Sequence, residues 1–364
     1  MGLSMGIVGL PNVGKSTLFN AITNNQIEAQ NFPFCTIEPN KGIVPVPDDR
    51  LSVLADISQT KTIIPATIEF IDIAGLVKGA ATGEGLGNKF LANIREVSAI
   101  IHVVRCFEND DIVHVDGSVD PVRDIGVINT ELILADMEQC EKAIETQRKR
   151  TRTNDKAEVF KFDTLKACLA ALQEETPIRA MDLSEPEQAV IREYHFLTNK
   201  KVMYVCNVKE DDYVSGNSHA DRVVTHVQNE SAQVVSLSAN LEQDISQLSE
   251  DERPLFLSEF GLKQSGLARL AQLSFKLLGL ETFLTTGEKE TRAWTIPVGT
   301  LAPKAAAEIH TDFERGFIRA NVIHFTDFVA CNGYKQAKEK GLVRQEGKDY
   351  TVKDGDIIEF LFNV

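Results

Sequence analysis

The sequence predicts an α/β protein built on a mainly parallel sheet, with an α-helical insertion inside it and a smaller α+β module after it. Three observations predict this architecture. Short apolar runs recur with helical stretches between them. That rhythm stops between about Asn129 and Thr198, where the period becomes helical, and beyond about Leu280 short alternating strands take over.

The apolar runs are Leu3 to Val8, Ile68 to Ile71, Ala99 to Val104, Val202 to Cys206 and Val234 to Leu237. They are continuous rather than alternating, which is the pattern of strands covered on both faces. Ser16 to Thr23 and Asn88 to Val97 read as helices between them, so the connections suit crossovers of a parallel sheet.

Within the insertion, Leu132, Ile133, Met137, Cys140 and Ile144 form one apolar stripe, and Phe162, Leu165, Leu169 and Leu172 form another. The charged stretch Gln147 to Lys156 separates them, which predicts two antiparallel helices with basic residues at their tip. In the last module the expected strands are Arg292 to Ile296, Phe317 to Ile323, Asp349 to Val352 and Ile357 to Phe362. A helix from Pro303 to Ile309 fits between the first two, and Asp354-Gly355-Asp356 is a turn.

Bulk composition narrows the function classes. The chain has 364 residues, 43% hydrophobic and 25% charged, with 53 acidic against 38 basic residues and a formal net charge of -15. This balance argues against indiscriminate nucleic-acid binding over the whole surface, while leaving room for a local basic face. The six cysteines (Cys35, Cys106, Cys140, Cys168, Cys206, Cys331) are scattered without metal or redox spacing, which suits a reducing compartment. The chain opens on a strand rather than a charged leader, and no apolar run approaches about 20 residues. A cytoplasmic monomer outside the membrane is expected.

Chemistry concentrates at the end of the first strand. Gly9-Leu10-Pro11-Asn12-Val13-Gly14-Lys15-Ser16-Thr17 matches G-x-x-x-x-G-K-[ST] between a strand and a helix. The glycines let backbone amides close around phosphates at a helix N-terminus. Lys15 pairs with the β and γ phosphates and Ser16 offers its hydroxyl to Mg2+. Asp72, in Asp72-Ile73-Ala74-Gly75, ends the strand from Ile68 and suits the same metal, while the Gly75 amide reaches toward the γ-phosphate. Thr36, in the loop between these motifs, is the candidate switch threonine and a third metal ligand. Gly79, Gly83, Gly85 and Gly87 follow closely, as expected of a segment that orders with nucleotide state.

These residues resemble the Obg-like class of P-loop proteins, specifically the YchF / Obg-like ATPase family, over essentially the whole chain. The resemblance rests on residues 9–17, on Asn31 to Asn40, on Asp72 to Val77 and on His310 to Ala320, which is similar to a TGS-domain signature. It implies a nucleotide domain over 1–279, interrupted by a coiled-coil arm over 129–199, and a ubiquitin-like (β-grasp) TGS domain over 280–364.

GTPases carry Asn-Lys-x-Asp after the corresponding strand; this chain has Asn207-Val208-Lys209-Glu210. The Lys is displaced and the Asp is lengthened, and a polar clamp discriminates strongly only when its geometry is right. The resemblance implies ATP, with GTP weaker. Val208 then offers backbone and apolar contact to adenine, Asn207 braces the loop, and Glu210 stands at the clamp position. Ser236, Ser238 and Ala239 resemble the family's last base-side loop. Asn12, Val13, Gly14, Lys15, Ser16 and Thr17 complete the expected nucleotide contacts.

The residue after Gly75 is Leu76, which cannot orient an attacking water. Two groups are candidates for assisting hydrolysis: Asn12, by helping to seat K+ beside the phosphates, and His114, in the loop after the Ala99 strand. The run Arg148-Lys149-Arg150-Thr151-Arg152 is suited to RNA phosphates, and the resemblance implies ribosomes or other translation components as partners. Two other readings stay open: a GTPase with an altered base motif, and a nucleotide-sensing binding protein with incidental hydrolysis.

Overall fold

The structure is a computed structural model and describes residues 4–29, 40–73, 86–109, 111, 114, 117–153, 155–230, 232–249 and 251–363. Its strands are β1 (Ser4–Val8), β2 (Lys41–Pro45), β3 (Thr62–Ile64), β4 (Thr67–Asp72), β5 (Ala99–Arg105), β6 (Lys201–Asn207), β7 (Gln233–Leu237), β8 (Leu280–Thr286), β9 (Glu290–Pro297), β10 (Phe317–His324), β11 (Arg344–Glu346) and β12 (Asp356–Phe362). They form two six-stranded sheets. Among the described residues the chain divides into two compact units, one of 4–27, 40–42 and 69–266, the other of 28–29, 43–68 and 267–363.

The first sheet has the order β2-β4-β1-β5-β6-β7. β1 runs parallel to both β4 and β5, β5 to β6 and β6 to β7. All seven residues of β5 are buried, as the continuous apolar runs predict for strands covered on both faces. Because these five strands are parallel, the segments that follow them leave from one edge of the sheet. That is where α/β proteins place their ligand sites.

β5 also carries a titrating liability. His102 is buried at 2% exposure, and burial, with a smaller push from Arg179, drives its imidazole down to about 3. In the unfolded chain the ring returns to about 6.5, so below that pH the unfolded state takes up a proton that the folded state refuses. Stability therefore falls as pH drops, by about 2 kcal/mol between pH 6.5 and 5. Urea unfolding at pH 7 and pH 5 should show this loss, and His102→Leu should remove it. Equal losses in both proteins would exonerate His102.

The insertion begins with the 30-residue helix Pro121–Arg150, about 45 Å long. It starts ahead of Asn129 because Pro121 sits at its first turn and Asp120 accepts from the amides of Val122 and Arg123. A single turn, Thr151–Thr153, leads into the helix Lys156–Gln173, capped by Asp155. The two run antiparallel: Cys140 Sγ lies 3.2 Å from the Leu165 carbonyl, and Gln147 Nε2 donates to the Glu158 carbonyl at 3.0 Å. Ile133, Cys140, Leu165, Cys168 and Leu172 are buried together between them, with Met137, Ile144 and Leu169 packed alongside. No helix among the described residues is long and apolar enough to cross a membrane.

In the second unit the sheet order is β11-β10-β12-β8-β9-β3. β8 and β9 form an antiparallel pair, β12 lies parallel to β8, and β3 joins as a parallel edge beside β9. The helix Ala302–Ile309 buries Ala302, Ala305 and Ala306 against Phe283, Ile296, Val322 and Phe360. Residues 43–68 belong here through β3 and through Arg50. The Arg50 guanidinium grips Asp48 by two bonds of 2.8 Å, Asp354 at 2.8 Å and Thr282 Oγ1 at 3.0 Å. The turn at Asp354-Gly355-Asp356 has Gly355 at φ +82°, as its composition predicts.

One expected strand is corrected. Asp349 to Val352 is not a strand; it contributes only a bridge from Thr351 to Leu301. The chain turns there instead, with the Tyr350 amide donating to the Gly347 carbonyl and the Tyr350 hydroxyl to Asp356 at 2.7 Å.

Candidate functional site: a cavity over the loop after the first strand

Val8 leaves β1 into a loop whose backbone demands its residues. A Cβ at Gly9 would lie 2.8 Å from the Val103 carbonyl oxygen, and one at Gly14 would lie 2.1 Å from Asn207 Nδ2. Gly14 also takes φ +93°, and Asn12 takes φ +63°, a region Asn tolerates better than most side chains. The loop ends in the helix Lys15–Ala29, whose first amides have no partners within the helix and suit an anion.

A cavity of about 870 Å³ opens over this loop. One wall is Leu10, Pro11, Asn12, Gly14, Lys15, Ser16 and Thr17; a second is Asn207 to Asp211 with Ser238 and Asn240; Phe107 and Asn109 make a third. Asn12, Gly14, Lys15, Ser16, Thr17, Asn207, Val208, Glu210 and Ser238 thus line one cavity.

Val13, Ser236 and Ala239 are not cavity-lining. Val13 is buried under the loop, and its carbonyl accepts from Asn207 Nδ2 at 2.9 Å, while the Ala239 amide donates to Asn207 Oδ1 at 2.9 Å. Asn207, buried at 4% exposure, therefore ties the phosphate loop to the segment after β7. Ser236 lies inside β7, paired with Cys206. Ser238 caps the helix Ala239–Gln247 by accepting from Leu241.

Lys15 is ion-paired with Asp72 at the end of β4. The pairing of β1 with β4 sets Ile7 opposite Asp72, so strand register delivers the carboxylate to the phosphate loop. This donor set fits Mg2+: Asp72 already holds a cation, and the Ser16 hydroxyl is another hard oxygen lining the cavity. Among the described residues no cluster of three or more His, Cys, Asp and Glu could cage a metal. The ion would therefore draw its remaining oxygens from phosphate and water, as Mg2+ commonly does. Thr36, Gly75 and Leu76 lie outside the described residues.

His114 is not brought to the cavity. It is buried, with Nε2 2.9 Å from Asp124 Oδ2 and Nδ1 3.5 Å from Arg123 Nη2. Asp124 belongs to the first turn of the long helix, so the start of the insertion draws the imidazole to itself.

Phe107 and Asn109 were not anticipated as site residues. Their signal was positional: they follow directly on β5, at the same sheet edge as the phosphate loop. The Arg105 guanidinium lies 4.6 Å from the Phe107 ring centre. Asp211 and Asn240 were missed for the same reason.

Comparison with known proteins follows the same outline. Residues 4–135 match the MMR_HSR1 family model, described as a 50S ribosome-binding GTPase. Residues 280–363 match the YchF-GTPase C-terminal model, described as a protein of unknown function (DUF933). The ribosome-binding ATPase YchF of Escherichia coli O157:H7 is 56% identical over 364 residues, covering all of both chains. That of Bacillus subtilis (strain 168) is 51% identical over 366 residues, again covering all of both. The solved structure of the Schizosaccharomyces pombe YchF GTPase superposes with a TM-score of 0.91 at 35% identity, covering 99% of this chain and 98% of that one.

Proposed function

The chain belongs to the YchF family, and from that membership and the cavity together we propose that it is a Mg2+-dependent P-loop ATPase that prefers ATP to GTP and acts on the ribosome in the cytoplasm. Relatives carry both nucleotides in their names: ATPase in the bacterial proteins and GTPase in the fission-yeast structure. The base wall therefore has to decide.

The observation that carries the ATP reading is the Asn207-Val208-Lys209-Glu210 corner. Where a GTPase lays a lysine stem, this chain presents Val208, buried and tied by its amide to the Leu237 carbonyl at 2.9 Å. Where a GTPase clamps two guanine donors with Asp, it has Glu210, which is exposed. An apolar wall with a lengthened clamp favours adenine, because guanine's donors lose the geometry that makes their recognition selective.

Hydrolysis in this reading is charge neutralisation and positioning. The Lys15 ammonium leaves Asp72 for the β and γ phosphates, and the first amides of the helix Lys15–Ala29 close on the same oxygens. Asp72 and Ser16, with Thr36, hold the metal, which when bound withdraws charge from the phosphate oxygens. Asn12 lines the cavity beside Lys15 and is the residue to which we assign a supporting K+. The Gly75 amide is assigned to the γ-phosphate.

The helical pair is read as a coiled-coil arm. Arg148, Lys149, Arg150 and Arg152 are exposed at its tip, suited to ribosomal RNA phosphates. Residues 280–364 are read as a TGS module following a nucleotide domain of 1–279.

Calorimetric titration of the full chain with Mg2+-ATP and Mg2+-GTP tests the central reading. ATP is expected to bind at least about tenfold tighter. Tighter GTP would install the GTPase reading instead. Single-turnover hydrolysis with and without ribosomes tests the partner, and an unchanged rate would remove ribosomal stimulation.

A further inference from the structure

The helix Leu86–Glu96 follows β4 and its Asp72 in the chain. The last carbonyls of a helix have no partners within it. Here a lysine from a distant segment takes two carbonyls at that end: Lys200 Nζ donates to Arg95 at 3.1 Å and to Val97 at 2.6 Å. Lys200 is half-buried, and burial pushes its ammonium below the usual lysine range while Asp136 pulls the other way. The negative end of a helix offsets that cost, because it stabilises a cation.

Lys200 is also the last residue before β6, in the segment by which the insertion returns to the sheet. Asp136, on the outgoing helix, locks that segment by accepting from the amides of Leu197 at 2.9 Å and Thr198 at 2.7 Å. A second tie runs beside the first. Arg95 Nη2 donates to Gln139 Oε1 at 3.5 Å, and Gln139 Nε2 donates to the Tyr194 carbonyl. We propose that Lys200 is a positioning residue for nucleotide turnover, the joint through which the helix after Asp72 sets the angle of the helical pair.

The chemistry of the joint suits that role. This inference rests on the reading of the cavity as the ATP site, in which Asp72 holds the metal. The segment after such a carboxylate is the one that P-loop hydrolases reposition when the γ-phosphate leaves. An ammonium on a four-carbon stem has three rotatable donors, so it stays bonded while two carbonyls shift. The Asp136 clamp then carries the shift into the helical pair. Arg150 lies about 20 Å along the helix from Asp136, so a small tilt at the base becomes a large displacement at the basic tip. By linkage, a partner held at the tip acts back on the nucleotide with the same free energy.

Hydrogen exchange of the full chain, with Mg2+-AMPPNP and with Mg2+-ADP, tests this. In wild type, residues 86–96 should exchange differently in the two states, and the arm base, residues 129–140 and 194–200, should differ by about fivefold. Lys200→Met should keep the difference at 86–96 and reduce that at the arm base below about twofold. Lys200→Arg, which keeps a charged donor for the carbonyls, should retain most of it. Basal ATP turnover should stay within about twofold of wild type in both variants.

If neither nucleotide changes exchange at residues 9–17 of wild type, the reading of the cavity fails and this proposal with it. A response at residues 9–17 with none at the arm base of wild type overturns the proposal alone. So does a Lys200→Met protein whose arm base still responds, or one whose basal turnover falls as far as its coupling. Should Lys200→Met fail to fold, Lys200→Gln, which keeps a neutral donor without the charge, is measured in its place, and a full arm response in it defeats the proposal.

Discussion

Replacing Lys15 with Ala is expected to lower ATP hydrolysis on the order of 10²–10³-fold, the cost of removing one preorganised charge from the developing transition state. Lys15 lines the cavity and is ion-paired with Asp72, so the substitution removes the phosphate's ammonium and also strips the metal-side carboxylate of its counter-ion. Triphosphate affinity should fall as well, since the ammonium contacts ground-state phosphates too. Phosphate release measured at saturating ATP checks the first effect and calorimetry the second. Turnover above about a tenth of wild type would mean that the loop amides do most of the work.

The largest stability effect is expected at Asp136, far from the phosphate loop. This fully buried carboxylate on the long helix accepts from the Leu197 amide at 2.9 Å, and from the Thr198 amide and hydroxyl at 2.7 Å each. Thr198 Oγ1 in turn accepts from the Ile178 amide at 3.3 Å. One side chain therefore pins the return of the insertion to its outgoing helix, just ahead of β6. Asp136→Ala strands two buried amides and a hydroxyl, which should cost about 4 kcal/mol. Urea unfolding should show the shift, and hydrogen exchange at Leu197 and Thr198 should accelerate. A loss below about 1 kcal/mol would mean that the anchor is dispensable.

Much of the fold was legible because its signals are local. Five strands of the first sheet were found within a residue or two, since continuous apolar runs on a chain punctuated by helices have few other uses. The helical pair was legible from its two stripes, though its start was placed late: the Asp120 cap and Pro121 carry that signal, and the apolar stripe does not. The sheet of the second unit was harder. β3 and β11 are three residues each, too short for alternation to register, and Arg50 reaches Asp354 across a long sequence separation.

For the candidate site, the phosphate half could be read directly. Gly9, Gly14 and Lys15 act through backbone conformation and a helix end, both set by neighbours in the chain. The base half could not. His114 lies in the loop that leaves β5, yet Asp124 holds it away from the cavity, whereas Phe107, closer to the end of the strand, lines it.

What the sequence alone determined was the glycine-bearing loop ahead of the first helix, the parallel sheet beneath it and the pair of antiparallel helices. Only the tertiary structure decided which side chains line the cavity opposite that loop, because this wall is made by the segments that follow β5, β6 and β7, distant in the chain. Local steric rules are written in consecutive residues, whereas the meeting of separate strand ends depends on register and burial summed over the whole sheet.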